Sequence, residues 1–280
     1  MIGAIIGDVV GSIYEFRNYK ATDFEPFISP SSHFTDDTIM TIAVADGLLN
    51  ERDPQETLRD WGRRYWSNGG WGQRFASWLA TEEPEPYDSF GNGAAMRISP
   101  VAWLSNSYES AMLNADRFTE ISHNHPEGMK AARATVSAIW WAREGLGVEQ
   151  IRHQLTESFG YDLARTTDEI RPTYFFSEAS QKSVPEALIC ALEGKSYEDV
   201  VRLAVSLGGD SDTIAAIAGS VAEARFGIPD KFVDQVRKVM QKDMLDIFDQ
   251  FEKVVNRPRL TDDSNKVLKN IFGLFGFKRH

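Results

Sequence analysis

Two tetrapeptides in the chain concentrate oxygen ligands: Thr35-Asp36-Asp37-Thr38 and Asp210-Ser211-Asp212-Thr213. Each places two carboxylates and neighbouring hydroxyls directly ahead of an apolar helical run. Alone, either one reads as a helix start. Thr, Ser and Asp satisfy the orphan N–H groups, and first-turn Asp complements the dipole. Capping needs only one or two such groups, whereas four aspartates are gathered here. If the two helix starts converge, the carboxylates repel one another unless cations neutralise them. An all-oxygen set selects a hard ion such as magnesium or manganese over zinc. Gly208-Gly209 frees the backbone ahead of the second cluster for a tight approach. Spacing along the chain does not dictate convergence.

A second group is suited to an anion. Gly91-Asn92-Gly93 permits close backbone approach and is expected to open a helix whose N–H groups face a phosphate. The competing reading is an ordinary Asn-Gly turn. No third glycine or preceding strand supports a nicotinamide site, and no Walker-type loop is present. His123 and His125 read as loop histidines or as polar pocket walls. A zinc site lacks a cysteine or third ligand nearby. No Gly-x-Ser-x-Gly elbow supports a serine nucleophile. Glu15, on its own, reads as a solvated glutamate after a short helix.

These residues must be positioned by helices. Ile39, Met40, Ile42, Ala43, Val44, Leu48 and Leu49 form a stripe at helical spacing after Asp37. Asp53-Pro54 reads as N-cap and first-turn proline of a helix running to Trp66. Further helices are predicted near 93–104, 108–118, 127–144, 148–159, 185–193, 196–206, 212–226 and 230–254. Pro185 and Pro229 fall where first-turn prolines belong, and Gly145, Gly194 and Gly227 where helices stop. Thr22–Ile28 and Arg171–Phe176 are too short and irregular to anchor a sheet. Gly69–Gly72 and Glu82–Asp88 read as surface loops. The expected architecture is all-α: a compact, single-domain, multi-helix orthogonal bundle over 1–258. The apolar tail over 259–280 is expected to dock against it as a helix.

With 42% hydrophobic residues and 25% charged, a folded core is affordable for 280 residues. A formal charge of −11 excludes nonspecific attraction to nucleic acid, which needs clustered Lys and Arg. The single cysteine, Cys190, lies in an apolar run and reads as a small buried hydrophobe. The opening Met1–Gly7 run lacks a basic region and meets Asp8 early, so it is not read as a secretory signal. No stretch reaches the ~18 apolar residues of a membrane span. A cytoplasmic location is expected; the oligomeric state stays open.

Five segments in order resemble the ADP-ribosylglycohydrolase family: Gly7-Asp8…Gly11…Glu15, Phe34-Thr35-Asp36-Asp37-Thr38, Gly91-Asn92-Gly93-Ala94-Ala95-Met96-Arg97, Ser122-His123-Asn124-His125-Pro126, and Gly208-Gly209-Asp210-Ser211-Asp212-Thr213. They span residues 1 to about 228. The resemblance implies two divalent ions, Mg2+ or Mn2+, at the bottom of a cleft, with Thr35, Asp36, Asp37, Asp210, Asp212 and Thr213 as ligands. It gives Thr38 and Ser211 no ligand role. It implies catalytic roles for Glu15, near the substrate ribose, and for Asp36 and Asp212. It implies ADP-ribose contacts from Gly91, Asn92, Gly93, His123 and His125. An adenine-stacking aromatic is sought among Phe90, Trp71 and Tyr87. The implied partner is an ADP-ribosylated protein or a small ADP-ribose conjugate, and the expected reaction is hydrolysis of an ADP-ribosyl-arginine bond. Alternatives are a serine-linked or O-acetyl-ADP-ribose substrate, a non-catalytic homologue that binds ADP-ribose, and a plain helical scaffold with two well-capped helices.

Overall fold

A computed structural model describes residues 1–255. The expected tail over 259–280 lies outside them. Fifteen helices follow in order. They are α1 (Ile2–Gly11), α2 (Asp36–Leu49), α3 (Pro54–Arg64), α4 (Gln73–Ala80), α5 (Gly93–Met96), α6 (Ser99–Leu104), α7 (Tyr108–Glu120) and α8 (Pro126–Arg143). The remainder are α9 (Val148–Phe159), α10 (Thr167–Ile170), α11 (Ser180–Glu193), α12 (Tyr197–Ser206), α13 (Ser211–Phe226), α14 (Asp230–Arg237) and α15 (Lys242–Val255). Among the described residues the one extended pairing is an isolated antiparallel bridge, Gly91 to Ala179. The fold is all-α, as expected.

The centre of the molecule is the antiparallel pair α1 and α13. Every residue of α1 is buried, as is α13 from Ser211 to Glu223. Helices apolar all round belong in a core. Gly3, Gly7 and Gly11 recur every fourth residue, which puts them on one face. There they meet the backbone of α13. A Cβ at Gly3 would lie 2.8 Å from the Glu223 Cβ, one at Gly7 2.8 Å from Ala216 N, and one at Gly11 2.6 Å from Asp212 N. Only hydrogen side chains allow this approach, and it brings Asp8 beside the start of α13. Tyr197 Oη fastens the pair by donating to Gly3 O at 2.8 Å. α13 also packs on α8, α11 and α12, and α1 on α2, so the starts of α2 and α13 are held on one rigid frame.

Local signals set many boundaries as expected. Asp53 caps α3 by accepting from Glu56 N at 2.9 Å, with Pro54 in the first turn. Gly145, at φ +82, closes α8: Gly145 N donates to Ala142 O and Leu146 N to Trp141 O. That is a Schellman pattern, and the left-handed backbone explains the glycine.

Four expectations change. The helix predicted over 93–104 is two short ones, because Pro100 has no N–H to offer Met96 O, which accepts instead from Thr41 Oγ1 at 3.4 Å. The helix predicted over 230–254 turns at 238–241 without a local breaker. Its halves serve different partners, α14 packing on α1 and α15 on α2 and α6. Pro185 lies inside α11 rather than in its first turn; the helix begins at Ser180. α4 and α10 went unassigned, although Phe75, Trp78 and Leu79 give α4 a buried face at helical spacing, and α1 was read only as a short helix of no stated bounds ahead of Glu15.

Candidate metal centre and cleft

The first acidic motif is freed from capping by a remote carboxylate. Asp8, fully buried near the end of α1, accepts from Thr35 N and Thr38 N, both at 3.0 Å, and from Thr35 Oγ1 at 2.8 Å. It also accepts from Thr38 Oγ1. Two orphan N–H groups at the start of α2 are thereby satisfied from another helix. Thr35 Oγ1 takes a third, from Asp37 N at 3.3 Å. The carboxylates of Asp36 and Asp37 are not needed at the helix end and face the cleft. The second motif behaves alike. Asp210 occupies the N-cap position of α13 but makes no side-chain cap bond; its Oδ2 accepts from Asn92 Nδ2 at 2.6 Å.

The two helix starts meet. Thr213 Oγ1 donates to Asp37 Oδ2 at 3.2 Å across 176 residues of sequence. Glu15, Asp210 and Asp212 bring one oxygen each to within 4.8 Å of one another. Among the described residues, no lysine, arginine or histidine forms an ion pair with Asp8, Glu15, Asp36, Asp37, Asp210 or Asp212. Burial dominates their protonation. Asp37 and Asp212 are pushed well above the ordinary carboxylate range by burial and then by each other's neighbourhood of aspartates. Burial, with Asp210, Asp36 and Asp8, raises Glu15 to about 7. Burial and Asp8 raise Asp36 to about 7. Burial raises Asp210 to about 6 against the opposing Asn92 bond. Asp37 Oδ1 and Asp212 Oδ1 are buried with no hydrogen-bond partner. Orphaned carboxyl oxygens in an all-oxygen cluster are the donor set a hard divalent cation fits.

These groups floor a cleft of about 370 Å³. The same cleft is lined by Gly91, Asn92, Gly93, Arg97 and His123, and by Arg74, Phe75 and Tyr87. Burial, then Arg97 and Arg74, holds His123 well below the ordinary imidazole range, so it is neutral. Arg97 Nη2 donates to Ser122 Oγ at 2.9 Å, and Ser122 Oγ and His123 Nδ1 share a hydrogen bond at 2.8 Å. The other ring nitrogen, Nε2, faces the glycine loop: a Cβ at Gly93 would lie 3.1 Å from it. The loop is stapled to the start of α11 by Asn92 N to Glu178 O at 2.8 Å and Ser180 Oγ to Gly91 O at 2.8 Å.

Most of the residues singled out from sequence gather here, with exceptions. Glu15, Asp36, Asp37, Asp210, Asp212, Thr213, Gly91, Asn92, Gly93 and His123 all line the cleft. Thr35 does not; its hydroxyl is spent on Asp8 and Asp37 N. His125 caps α8 by accepting from Glu127 N at 3.1 Å, its ring against Phe90. Neither it nor Phe90 lines the cleft, and Trp71 packs on Phe75 instead. Asn92 spends its amide nitrogen on Asp210 rather than on the loop. Helix α5 after the loop is a single turn, so it supplies no sustained dipole. Asp8, Arg97 and Ser122 had no assigned role. A lone charge in the apolar Ile2–Gly11 run was the available signal for Asp8.

The sequence profile described as ADP-ribosylglycohydrolase matches residues 1–264. The chain is 22% identical to an ADP-ribosylarginine hydrolase, Tri1, of Pseudomonas putida, over 91% of this chain and 78% of that protein. It is 25% identical to the ADP-ribosylhydrolase ARH3 of Mus musculus, over 81% of this chain and 83% of that one. A solved structure described as an ADP-ribosylglycohydrolase-related protein complex superposes with a TM-score of 0.69 at 22% identity, covering 91% of this chain and 97% of the other.

Proposed function

The chain belongs to the ADP-ribosylglycohydrolase family, and on that premise we propose that it removes ADP-ribose from an arginine side chain of a modified protein. The observation that carries this reading is the meeting of two acidic helix starts at one cleft, with Asp37 Oδ1 and Asp212 Oδ1 unpartnered. Asp36, Asp37, Asp210, Asp212 and Thr213 would hold two magnesium or manganese ions, while Thr35, its hydroxyl bonded to Asp8, braces the first motif. When bound, such ions orient ribose hydroxyls and acidify a water.

The chain's own groups supply the rest. Hydrolysis breaks the bond from ribose C1″ to the guanidino nitrogen, places a water oxygen on C1″ and returns a proton to the departing nitrogen. Positive charge grows on the sugar as that bond stretches, and the surrounding carboxylates favour it. Glu15, half-buried beside Asp212, is positioned to take the water's proton. With the Ser122 hydroxyl donating to Nδ1, neutral His123 would carry its proton on Nε2 and donate it toward the glycine loop, where a diphosphate oxygen would accept it without the cost of burying another cation. Tyr87, alone of the three aromatics named from sequence, lines the cleft and would pack against adenine. Arg74, which also lines the cleft, lies over the Tyr87 ring at 4.9 Å from its centroid.

A hydrolysis assay on arginine-linked and serine-linked ADP-ribose, with magnesium or manganese and with a chelator, tests this. Release of ADP-ribose from the arginine linkage, abolished by chelation, is the expected result. Release from the serine linkage alone would move the reading to that acceptor. Binding of ADP-ribose without release from any linkage would make the chain a non-catalytic homologue.

A further inference from the structure

The rim of the cleft is built from two loops whose aromatic residues the mechanism above leaves unused. One follows α1 through Glu15, Phe16, Arg17 and Asn18; the other runs from α10 through Phe175 and Phe176 into α11. Phe16 is 74% exposed and Phe176 41%, yet their rings stack with centroids 5.2 Å apart and planes at 27°. Both line the cleft. Phe16 has φ +62 and Asn18 φ +47. A bulky aromatic in the left-handed region is strained, and such strain persists only where the surroundings impose it.

The surroundings are the second acidic motif. A Cβ at Gly208 would lie 2.7 Å from Asn18 Oδ1, and a Cβ at Gly209 2.8 Å from Phe176 N. The two glycines ahead of Asp210 therefore seat both rim loops. Lys20 Nζ clips them together, donating to Tyr174 O at 2.6 Å and to Leu207 O at 2.5 Å. The aromatic pair is thus held at a fixed offset from Asp210 while both residues stay exposed to solvent.

We propose that Phe16 and Phe176 are the seat of the acceptor's guanidinium, an inference that rests on the hydrolytic reading above. A guanidinium is a planar, weakly hydrated cation that stacks on aromatic faces. The carboxylates beside this pair, Glu15 preceding Phe16 and Glu178 two residues past Phe176, both line the cleft. Arg17 is exposed and does not. A serine acceptor would use neither the rings nor the charge. As the C1″–N bond breaks, the neutral guanidine takes the water's proton and departs across the two rings.

The test compares Phe16→Ala, Phe176→Ala and Phe176→Trp. For the alanine variants, KM for an arginine-linked ADP-ribosyl peptide is expected to rise about three- to thirtyfold, the range of an aromatic–cation contact. The Kd for free ADP-ribose, which lacks the acceptor, rises far less, and Phe176→Trp keeps the parental KM. Equal rises in KM and in Kd would overturn the seat, as would an unchanged KM. Ring resonances of Phe16 and Phe176 during titration with agmatine give a readout independent of turnover. Shifts at both rings are expected, and their absence refutes the proposal even in an active hydrolase. Shifts without hydrolysis of any linkage would leave the seat standing and refute the hydrolytic reading instead.

Discussion

Gly11→Ala tests whether close packing of α1 on α13 sets the acidic cluster. A Cβ at Gly11 would lie 2.6 Å from both Asp212 N and Ser211 O, whereas ordinary contact begins at 3.4 Å. Asp212 Cα is closer still, so the helices must part by about 1 Å here, since backbone atoms cannot swing aside as a flexible side chain can. Overpacking of this kind costs about 1–3 kcal/mol. At about 2–4 °C per kcal/mol for a protein near this size, Tm falls by roughly 2–12 °C. A binding constellation tolerates displacement of only about 0.5 Å. Affinity for manganese is accordingly expected to fall about 10- to 100-fold. Calorimetric melting without added metal and titration with manganese read the two effects. Gly147→Ala is the control, because its Cβ would meet only Gln150 Oε1, at 3.5 Å. A Gly11→Ala protein that melts and binds manganese like the parent would refute the reasoning.

Asp36→Ala and Asp212→Ala are each expected to lose manganese binding and ADP-ribosyl hydrolysis while keeping helical circular dichroism; turnover retained in either one contradicts its role. The cluster also gives stability a pH dependence opposite to that of ordinary paired carboxylates. Asp36 and Glu15 are raised to about 7 and Asp210 to about 6, from 3.8–4.5 in an unfolded chain. Between those limits the metal-free folded protein binds more protons than the unfolded one, so this contribution is present in acid and lost as pH rises through about 7. The metal-free Tm should fall from pH 5 to pH 8, and added magnesium or manganese should remove the fall; a rise over that range in metal-free protein would show that other groups outweigh the cluster. Ser122→Ala deletes the hydrogen-bond partner of His123 Nδ1. Nitrogen chemical shifts of His123 should then report mixed tautomers, with ADP-ribose binding weakened about fivefold by the loss of one oriented bond and manganese affinity unchanged; a ring still protonated wholly on Nε2 would remove the relay.

Much of the frame was legible because its signals are local. Asp53-Pro54 and Gly145 mark helix ends by backbone chemistry that holds in any context. The bounds and burial of α1 were not legible beyond a short helix ahead of Glu15, since glycine every fourth residue argues against a helix by propensity. Only the approach of α13 turns those glycines into a packing face. The bend between α14 and α15 was invisible for a related reason: Val236, Met240, Met244, Ile247 and Phe251 keep helical spacing straight through it. In the site, the two acidic motifs stood out by density of one residue type. Their meeting through Thr213 and Asp37 did not, because no spacing encodes a contact across 176 residues. Asn92 and His125 show the same limit. Each was marked as polar and loop-borne, but whether such a side chain faces ligand, carboxylate or helix end is decided by tertiary placement.

The most direct test is anomalous diffraction from a manganese-soaked crystal, paired with hydrolysis in chelator. Two anomalous peaks are expected between the Asp36-Asp37 and Asp210-Asp212 carboxylates, within coordination distance of Asp37 Oδ1 and Asp212 Oδ1. Release of ADP-ribose should stop when the metal is removed. A cleft without peaks, in protein that still hydrolyses the ADP-ribosyl bond in chelator, would contradict the metal-held centre.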